Sequence, residues 1–286
     1  MSGTDVGGIS ETNTEPVMAL RVFASGSGGN CSALILREDA ARRLCLVDLG
    51  LSPRASGRHL ADAGLALSDV EHVFITHFDS DHCRATWPGR LPRGAVVHVH
   101  PRHVRAARAA GLGAVEPIDG ATTVGEARVH ATLLAHDRAG VAAFRFDLAD
   151  ASVGYATDVG RPTARLVDLF AGVDLLALES NYCPRLQAAS NRPAFLKERI
   201  MGGAGHLSNQ QCAATAARIG PRRDLVLLHL SRQCNTPALA LAAHEGAAYS
   251  VTVSAQDHAT RWIPVAPFER APANAPAVGV RAHECA

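Results

Sequence analysis

The sequence predicts an α/β domain with mixed β-sheets. Eleven apolar runs of about strand length recur along the chain, and many are rich in Val, Ile and Leu: MALRVFA, CSALILR, RLCLVDLG, VEHVFITH, GAVVHVH, ARVHATLLAH, AAFRFDL, SVGYATDVG, VDLLALES, DLVLLHLS and YSVTVS. Four helix-like stretches lie between some of them, namely PRASGRHLADAG, PRHVRAARAAG, SNQQCAATAARIG and TPALALAAHEGA. Strand pairs early in the chain, with helices interspersed, are typical of this class.

Composition limits the kinds of protein that the chain can be. Its 286 residues are 47% hydrophobic and 19% charged, which is enough apolar material for a sizeable core. The formal net charge of +1 excludes a globally basic surface for nucleic acid, so any phosphate binding must come from a local patch. We expect a disordered lead at residues 1–16, one folded domain at 17–265 and a loose tail at 266–286.

Cysteine usage and the N-terminus predict a cytoplasmic protein with no membrane segment. The seven cysteines are odd in number and no two have CxxC spacing, which fits a reduced compartment better than a disulfide framework. No apolar run reaches the roughly 18 residues that a membrane-spanning helix needs. The N-terminal residues lack the basic and apolar regions of a signal peptide.

Ligand-type side chains follow four of the predicted strands. The stretch THFDSDH comes directly after VFI, and single residues of the same kind follow three later runs. Groups at strand ends are held rigidly by the sheet while the loops present them. The candidates are His77, Asp79, Asp81, His82, His136, Asp158 and His229. An interpretation as unrelated capping and core residues would need four separate coincidences.

These seven side chains predict a dinuclear metal site. Imidazole and carboxylate donors suit zinc, manganese or iron, and seven are too many for one tetrahedral ion. We expect one ion on His77, Asp79 and His136, a second on Asp81, His82 and His229, and Asp158 as the bridge between them. A hydroxide between the ions would be the nucleophile, because a bound ion can lower the pKa of water to about 7.

The pattern resembles the metallo-β-lactamase superfamily, whose signature is HxHxDH followed by a downstream His, Asp and His. Further blocks resemble its WalJ/YycJ branch, namely ASGSGGNCSALIL, LVDLGLS, AHD, TDVG, LESN, LKERIMGGAGHLSN and HLSRQCNTP. The resemblance implies a four-layer αβ/βα sandwich with the dinuclear site at the edge between two sheets. It also implies a hydrolase, and for this branch a 5′-to-3′ DNA exonuclease.

One position departs from the superfamily signature. Asp79 stands where the family usually has a second histidine. The ion held there would see two histidines and two carboxylates, which should favour manganese or iron over zinc or weaken zinc binding. Two alternatives stay open: only the other site fills firmly, or the site has lost its chemistry.

Four further residues are candidates for contact with substrate. The loop SGSGGN is not a P-loop, since it leads into a strand, so Ser27 and Asn30 either touch substrate or simply form a tight turn. Lys197 and Arg199 could hold the flanking phosphates of a strand, or they belong to a solvated helix face.

His206, in GAGHLSN, is a candidate catalytic residue. Its glycine neighbours would let the backbone approach a ligand closely, and similar histidines in phosphodiesterase relatives act on the scissile phosphate or the leaving group. The alternative is a helix-entry residue followed by Ser208 as the N-cap. Asp48, in VDLG, is expected to orient histidines rather than to bind an ion.

The sequence thus predicts a metal-dependent phosphodiesterase that acts on DNA from a strand end. Asp81 would orient the hydroxide, and His206 would stabilise or protonate the leaving oxygen. The alternatives are a ribonuclease, a thioesterase or lactonase on the same fold, and a non-catalytic metal-binding protein. The oligomeric state stays open.

Overall fold

The computed structural model of the chain describes residues 15–38, 41–136 and 138–265. Fourteen strands lie within them: β1 Met18–Ala24, β2 Cys31–Glu38, β3 Ala41–Val47, β4 Val70–Ile75, β5 Val96–Val99, β6 Ala114–Pro117, β7 Ala121–Val124, β8 Ala127–Leu134, β9 Val141–Leu148, β10 Ala151–Ala156, β11 Leu175–Glu179, β12 Asp224–Leu228, β13 Ser250–Val253 and β14 Ile263–Val265. The α-helices are α1 Pro53–Ala61, α2 Val104–Ala109, α3 Ala164–Phe170, α4 Pro184–Ala189, α5 Ala194–Met201, α6 Asn209–Ile219 and α7 Pro237–Ala242. Short 3-10 turns occupy Leu67–Asp69 and Pro101–His103.

The strands form two seven-stranded sheets with the same plan. The first runs in the order β14-β1-β2-β3-β4-β5-β6 and the second in the order β13-β12-β11-β10-β9-β8-β7. In the first sheet the strands from β14 to β3 pair antiparallel, and those from β3 to β6 pair parallel. The second sheet is antiparallel from β7 to β10 and parallel from β10 to β13. Both sheets are therefore mixed, as predicted.

Three apolar clusters separate four layers. One lies between the sheets and includes Leu20, Phe74 and Phe144. A second packs α3, α6 and α7 on the outer face of the second sheet, and a third packs α1 and α2 on the outer face of the first. This helix–sheet–sheet–helix order confirms the predicted four-layer sandwich.

Several short elements were not predicted. Strand β6 has the sequence AVEP and is mostly exposed, so no apolar run marks it. Strands β7 and β14 and helices α3, α4 and α5 were missed as well, and the longest of them has eight residues. Periodicity is weak over so few positions, because one or two side chains decide the pattern.

The structure does not test the predictions that were made from the termini and the cysteines. The lead at 1–16 and the tail at 266–286 lie outside the described residues, apart from Glu15 and Pro16. The six cysteines in the described ranges are free, and five of them are buried. No helix among those residues is long and apolar enough to cross a membrane, the longest having 11 residues. The cytoplasmic location and the 17–265 boundaries are not tested by these facts.

Candidate metal centre

The C-terminal ends of parallel strands from both sheets meet at one edge. Polar side chains stand at or just beyond these ends and beyond the end of β8: Asp48 after β3, His77 after β4, His136 after β8, Asp158 after β10, Glu179 at the end of β11, and His229 after β12. A backbone hydrogen bond from Ala142 to the carbonyl of Thr76 links the two sheets here, at 2.8 Å. The strand ends thus carry donors from distant parts of the chain into one place.

All seven predicted metal ligands come together there. His77, Asp79 and His136 form one group of donors that lie within 4.8 Å of one another, here called the first group. Asp81, His82 and His229 form the second group by the same measure. Asp158 joins His77 and His82 in a further group and so stands between the two. The side chains thus cluster with the same members as the predicted division, and their binding of two ions stays a prediction.

The second group is held by buried hydrogen bonds. His82 Nδ1 lies 2.7 Å from Asp48 Oδ2, and its Nε2 lies 2.8 Å from Asp158 Oδ2. Asp48 itself accepts hydrogen bonds from the backbone N–H and the hydroxyl of Thr76. The backbone N–H of His229 donates to Ser25 Oγ at 2.8 Å. Asp48 therefore orients a histidine, as expected.

Fewer hydrogen bonds hold the side chains of the first group. His136 donates from Nδ1 to the carbonyl of Gly205 at 2.9 Å, which leaves Nε2 as its acceptor nitrogen. His77 Nδ1 lies 3.1 Å from Thr76 Oγ1, so the Nε2 of His77 is also available as a ligand atom. Asp79 is 48% exposed, and its Oδ2 lies 3.8 Å from His77 Nε2.

The backbone is strained at three positions of the centre. Asp48, Asp158 and His229 have φ values of 62°, 52° and 56°, in the left-handed region that residues other than glycine seldom adopt. Such strain persists only where surrounding contacts enforce it, and it gathers at functional sites. In each case the left-handed residue comes one or two positions after a strand and turns its side chain into the cluster.

Charge is shared unevenly among the protein groups of the cluster. Burial opposes the protonation of His82, but the carboxylates of Asp158 and Asp48 outweigh it and raise its pKa well above the usual value. Burial likewise opposes ionisation of Asp158, yet His229 and His82 hold its pKa well below the usual range. Burial together with the charge of His82 lowers the pKa of His77 to about 2. The second group is thus charged, and His77 is neutral.

Glu179 is a candidate functional residue that sequence analysis did not single out. Its Oε1 lies 2.7 Å from His206 Nδ1, and its Oε2 accepts hydrogen bonds from the backbone N–H groups of Val159 and Leu207. Glu179, Asp158, His206 and His229 form a further group of donors within 4.8 Å of one another. Burial lowers the pKa of His206, but Glu179 and Asp158 overcome it and raise that pKa to about 10. The only sequence signal was its place at a strand end in the block LESN.

The cluster opens into a cavity of about 440 Å³. His206 lines it, and so do Ser27 and Arg199 from the set expected to touch substrate. Asn30 and Lys197 are not among the described residues that line it. Asn30 is buried, bonds to the backbone of Gly26 and Asp81, and has its Nδ2 2.9 Å from His82 Nε2. Lys197 donates to the carbonyl of Ala188 at 2.7 Å.

Arg192 and Gln233 also line the cavity and were not singled out from the sequence. Arg192 stands in the short segment between α4 and α5, where no motif marks it. Gln233 lies within the block HLSRQCNTP, whose other residues drew attention first.

The donor set fits divalent metal ions. His229 Nε2 is buried, has no hydrogen-bond partner among the described residues, and lies 3.8 Å from Asp81 Oδ2. Leaving such an atom unpaired is costly unless an ion or another partner completes it. Histidines whose Nδ1 is fixed by a carboxylate or a carbonyl are typical metal ligands, and both His82 and His136 meet that description.

Comparison with known proteins agrees with this geometry. The family model described as "Beta-lactamase superfamily domain" matches residues 43–230. The chain is 28% identical over 229 residues to a Streptococcus pneumoniae protein named exodeoxyribonuclease WalJ, covering 77% of this chain and 84% of that protein. It is 26% identical, with the same coverage, to exodeoxyribonuclease YycJ of Bacillus anthracis.

Solved structures support the fold. The metallo-β-lactamase fold protein YhfI from Bacillus subtilis superposes with a TM-score of 0.62 at 15% identity, covering 85% of this chain and 99% of that one. The short form of human tRNase Z gives 0.58 at 17% identity, covering 85% and 98%. The family model confirms the predicted superfamily, and the two exodeoxyribonucleases are the relatives that the predicted branch resembles. The chain therefore belongs to the β-lactamase superfamily and is a metal-dependent hydrolase.

Proposed function

We propose that the chain is a dinuclear phosphodiesterase that removes nucleotides from an end of a DNA strand. The observation that carries the proposal is the pairing of two donor groups around Asp158 at the base of a cavity whose wall bears Arg192 and Arg199. Carboxylate-bridged ions with cationic side chains beside them suit a phosphodiester better than a neutral ester. The exodeoxyribonuclease names of the two curated relatives favour DNA.

The first group would hold one ion and the second group the other, with Asp158 placed to contact both. Zinc and manganese suit the donors, and iron is compatible with them. Bound ions of this kind supply an activated water and neutralise charge on the phosphoryl oxygens. Asp79 makes the first group more anionic than a three-histidine face, which favours manganese there.

His206 is the proposed general acid. Glu179 fixes its Nδ1, so its Nε2 is the nitrogen available to the cavity. In the protein without ions the carboxylates of Glu179 and Asp158 raise the pKa of His206 to about 10. With ions on Asp158, the buried Glu179 carboxylate would remain beside Nδ1 to favour the protonated imidazole. The Nε2 proton would pass to the oxygen that leaves phosphorus when the P–O bond breaks.

Asp81 is proposed to orient the attacking water. Its Oδ2 lies 3.8 Å from the Nε2 atoms of both His82 and His229, and the side chain is partly exposed to the cavity. Arg192 and Arg199 would hold the phosphates that flank the scissile bond, and Ser27 lines the same cavity.

Metal analysis and turnover test the proposal together. Purified protein is expected to carry about two ions per chain and to hydrolyse bis(p-nitrophenyl) phosphate with added manganese or zinc. His77→Ala and Asp158→Ala should abolish turnover, whereas His130→Ala, a histidine on β8 outside the donor groups, should not. Matched DNA and RNA oligonucleotides then identify the strand that is cut.

Each alternative has its own outcome. Faster cleavage of RNA than of DNA would replace the proposal with a ribonuclease. Two ions without phosphodiester cleavage, but with thioester or lactone hydrolysis, would make the protein an esterase. One ion or none, without turnover under either metal, would mean that Asp79 marks a site without catalysis.

A further inference from the structure

Helix α5 forms one wall of the cavity. The proposed mechanism uses only Arg199 from this helix. Leu196, Arg199 and Ile200 line the cavity from this helix. Leu196 and Ile200 also pack in a small apolar cluster with Tyr182 and Cys234, so the helix is anchored on its inner side. Its position beside the metal centre is therefore fixed by the core.

Phe195 stands on the same helix with its ring in solvent. It is 72% exposed, and in the described part of the chain only Met201, at 42%, joins it among exposed large hydrophobic side chains. Phe195 directly precedes the cavity residue Leu196 and lies four positions before Arg199. Side chains with that spacing on a helix are neighbours, with Cβ atoms about 5–6 Å apart. We therefore expect the ring beside Arg199, at the rim of the cavity.

Two arginines with uncompensated charge stand on the cavity wall near this ring. The guanidinium of Arg192 donates only to neutral acceptors: Gln233 Oε1 at 3.1 Å, Gln187 Oε1 at 3.2 Å and Ser231 Oγ at 3.3 Å. Among the described residues, neither Arg192 nor Arg199 forms an ion pair with a carboxylate. Arg192 is thus held in place while its charge stays available to an anion.

We propose that Phe195 is a stacking platform for an unpaired base of the nucleic-acid strand whose phosphates contact Arg192 and Arg199. The inference rests on the proposed function and names the form of its substrate, a single-stranded or frayed end. Aromatic rings beside cationic side chains are the usual means of holding single strands, because every base has a face that can stack. A paired base within a duplex is already stacked and cannot offer that face to Phe195.

A protein partner would need more apolar surface than this rim provides. A stable protein interface buries roughly 800 Å² on each side around several apolar anchors. Here one ring and one partly exposed methionine stand among charged and polar residues. The surface therefore suits a nucleotide better than a protein or a second copy of the chain.

Steady-state kinetics of the metal-loaded enzyme test the platform. For Phe195→Ala we expect kcat/KM on a single-stranded DNA oligonucleotide to fall about 10-fold, mainly through KM, relative to kcat/KM on bis(p-nitrophenyl) phosphate. The same variant should lose much less on a blunt hairpin duplex, and Phe195→Tyr should retain the wild-type ratio. Met201→Ala, which shortens the other exposed apolar side chain of α5, is the matched control and should leave the ratio unchanged.

A binding measurement gives a second readout. An oligonucleotide carrying 2-aminopurine should lose fluorescence on binding to the wild-type protein, because the base stacks on the ring, and should keep it with Phe195→Ala. Equal losses on the oligonucleotide and on the small substrate would overturn the platform. So would an unchanged KM in a variant that dissociates a dimer in sedimentation, since Phe195 would then belong to a self-interface. A wild-type enzyme that cleaves bis(p-nitrophenyl) phosphate but no oligonucleotide would instead overturn the proposed DNA substrate, and the platform with it.

Discussion

The two donor groups of the metal centre differ in how firmly the protein holds them. In the second group, His82 is buried between the carboxylates of Asp48 and Asp158, and both of its nitrogens are engaged. In the first group, Asp79 is 48% exposed, and its Oδ2 lies 3.8 Å from Nε2 of the neutral His77. One group is built before any ion arrives, whereas the other has a ligand that must still be ordered.

This difference predicts an order of metal binding. A preorganised group loses little conformational entropy when an ion binds, while an exposed side chain must give up its rotamer freedom. We therefore expect the second group to fill first and the first group to fill at higher metal concentration. The aspartate that replaces the usual histidine then lies in the weaker site. We expect it to influence which metal binds there.

Replacing Asp158, the carboxylate proposed to contact both ions, should have the largest effect on activity. It should also abolish the difference in metal binding between the two groups. Asp158→Asn keeps the shape of the side chain, and asparagine tolerates the left-handed backbone at this position. Both groups lose an anionic ligand, so we expect kcat to fall about 1000-fold. Elemental analysis should show loss of both ions together. Retention of one tightly bound ion would contradict the assignment of Asp158 to both groups.

Asp48→Asn should weaken the second group alone. The amide cannot balance the charge on His82 or fix its Nδ1 in the same way, so we expect metal affinity there to fall about 10–100-fold. Competition with a chelator measures the two binding steps separately. The matched control is Asp174→Asn, since Asp174 is also buried and accepts hydrogen bonds from Ser152 outside the donor groups. A similar fall in both steps would contradict the comparison.

Asp79→His should bring the zinc affinity of the first group closer to that of the second. An imidazole at this exposed position restores the three-histidine face of the superfamily, so we expect zinc affinity of the weaker step to rise about 10-fold. Titration with zinc in the presence of a competing dye measures it. Asp150→His, which adds a histidine at an exposed turn, controls for adventitious binding. An unchanged zinc affinity of the weaker step would show that the exposure of the side chain at position 79, and not its ligand type, limits that affinity.

The fold and the clustering of the seven candidate ligands were predictable because their signals are local. Each ligand follows an apolar run that forms a strand, and THFDSDH places four donors within seven residues. The direction of strands and the edge where they meet follow from the sandwich. Hence residues as far apart as His77 and His229 could be assigned to one site before any coordinates.

Residues whose role depends on tertiary contacts were not predictable in this way. Glu179 gains its role from His206, which is 27 positions away. Lys197 and Arg199 are two residues apart on α5, yet only Arg199 lines the cavity, because helix geometry turns their side chains apart. Asn30 does not line the cavity: its side chain bonds to the backbone of its own loop and lies 2.9 Å from His82 Nε2.

The pH dependence of the metal-free protein should give the smallest effect and separate the groups by sign. His77 has a folded pKa of about 2, below the ordinary 6.5, so the fold loses stability as the pH falls through 6.5. His229 has a folded pKa of about 9, because Asp158, Asp81 and Glu179 outweigh its burial, so its contribution is full below pH 6.5 and is lost as the pH rises through 9.

Melting temperatures measured with a chelator between pH 4 and pH 10 should therefore pass through a maximum near pH 6.5, falling by at least about 4 °C toward pH 4 and again between about pH 6.5 and pH 9. His77→Asn should flatten the acid side, and His229→Asn should flatten the alkaline side, where asparagine also tolerates the left-handed backbone. Bound metal requires neutral imidazoles, so metal-loaded protein should lose the alkaline decline. An alkaline decline that persists unchanged in His229→Asn would mean that His229 is not protonated before metal binds and that other histidines, such as His206, carry the decline.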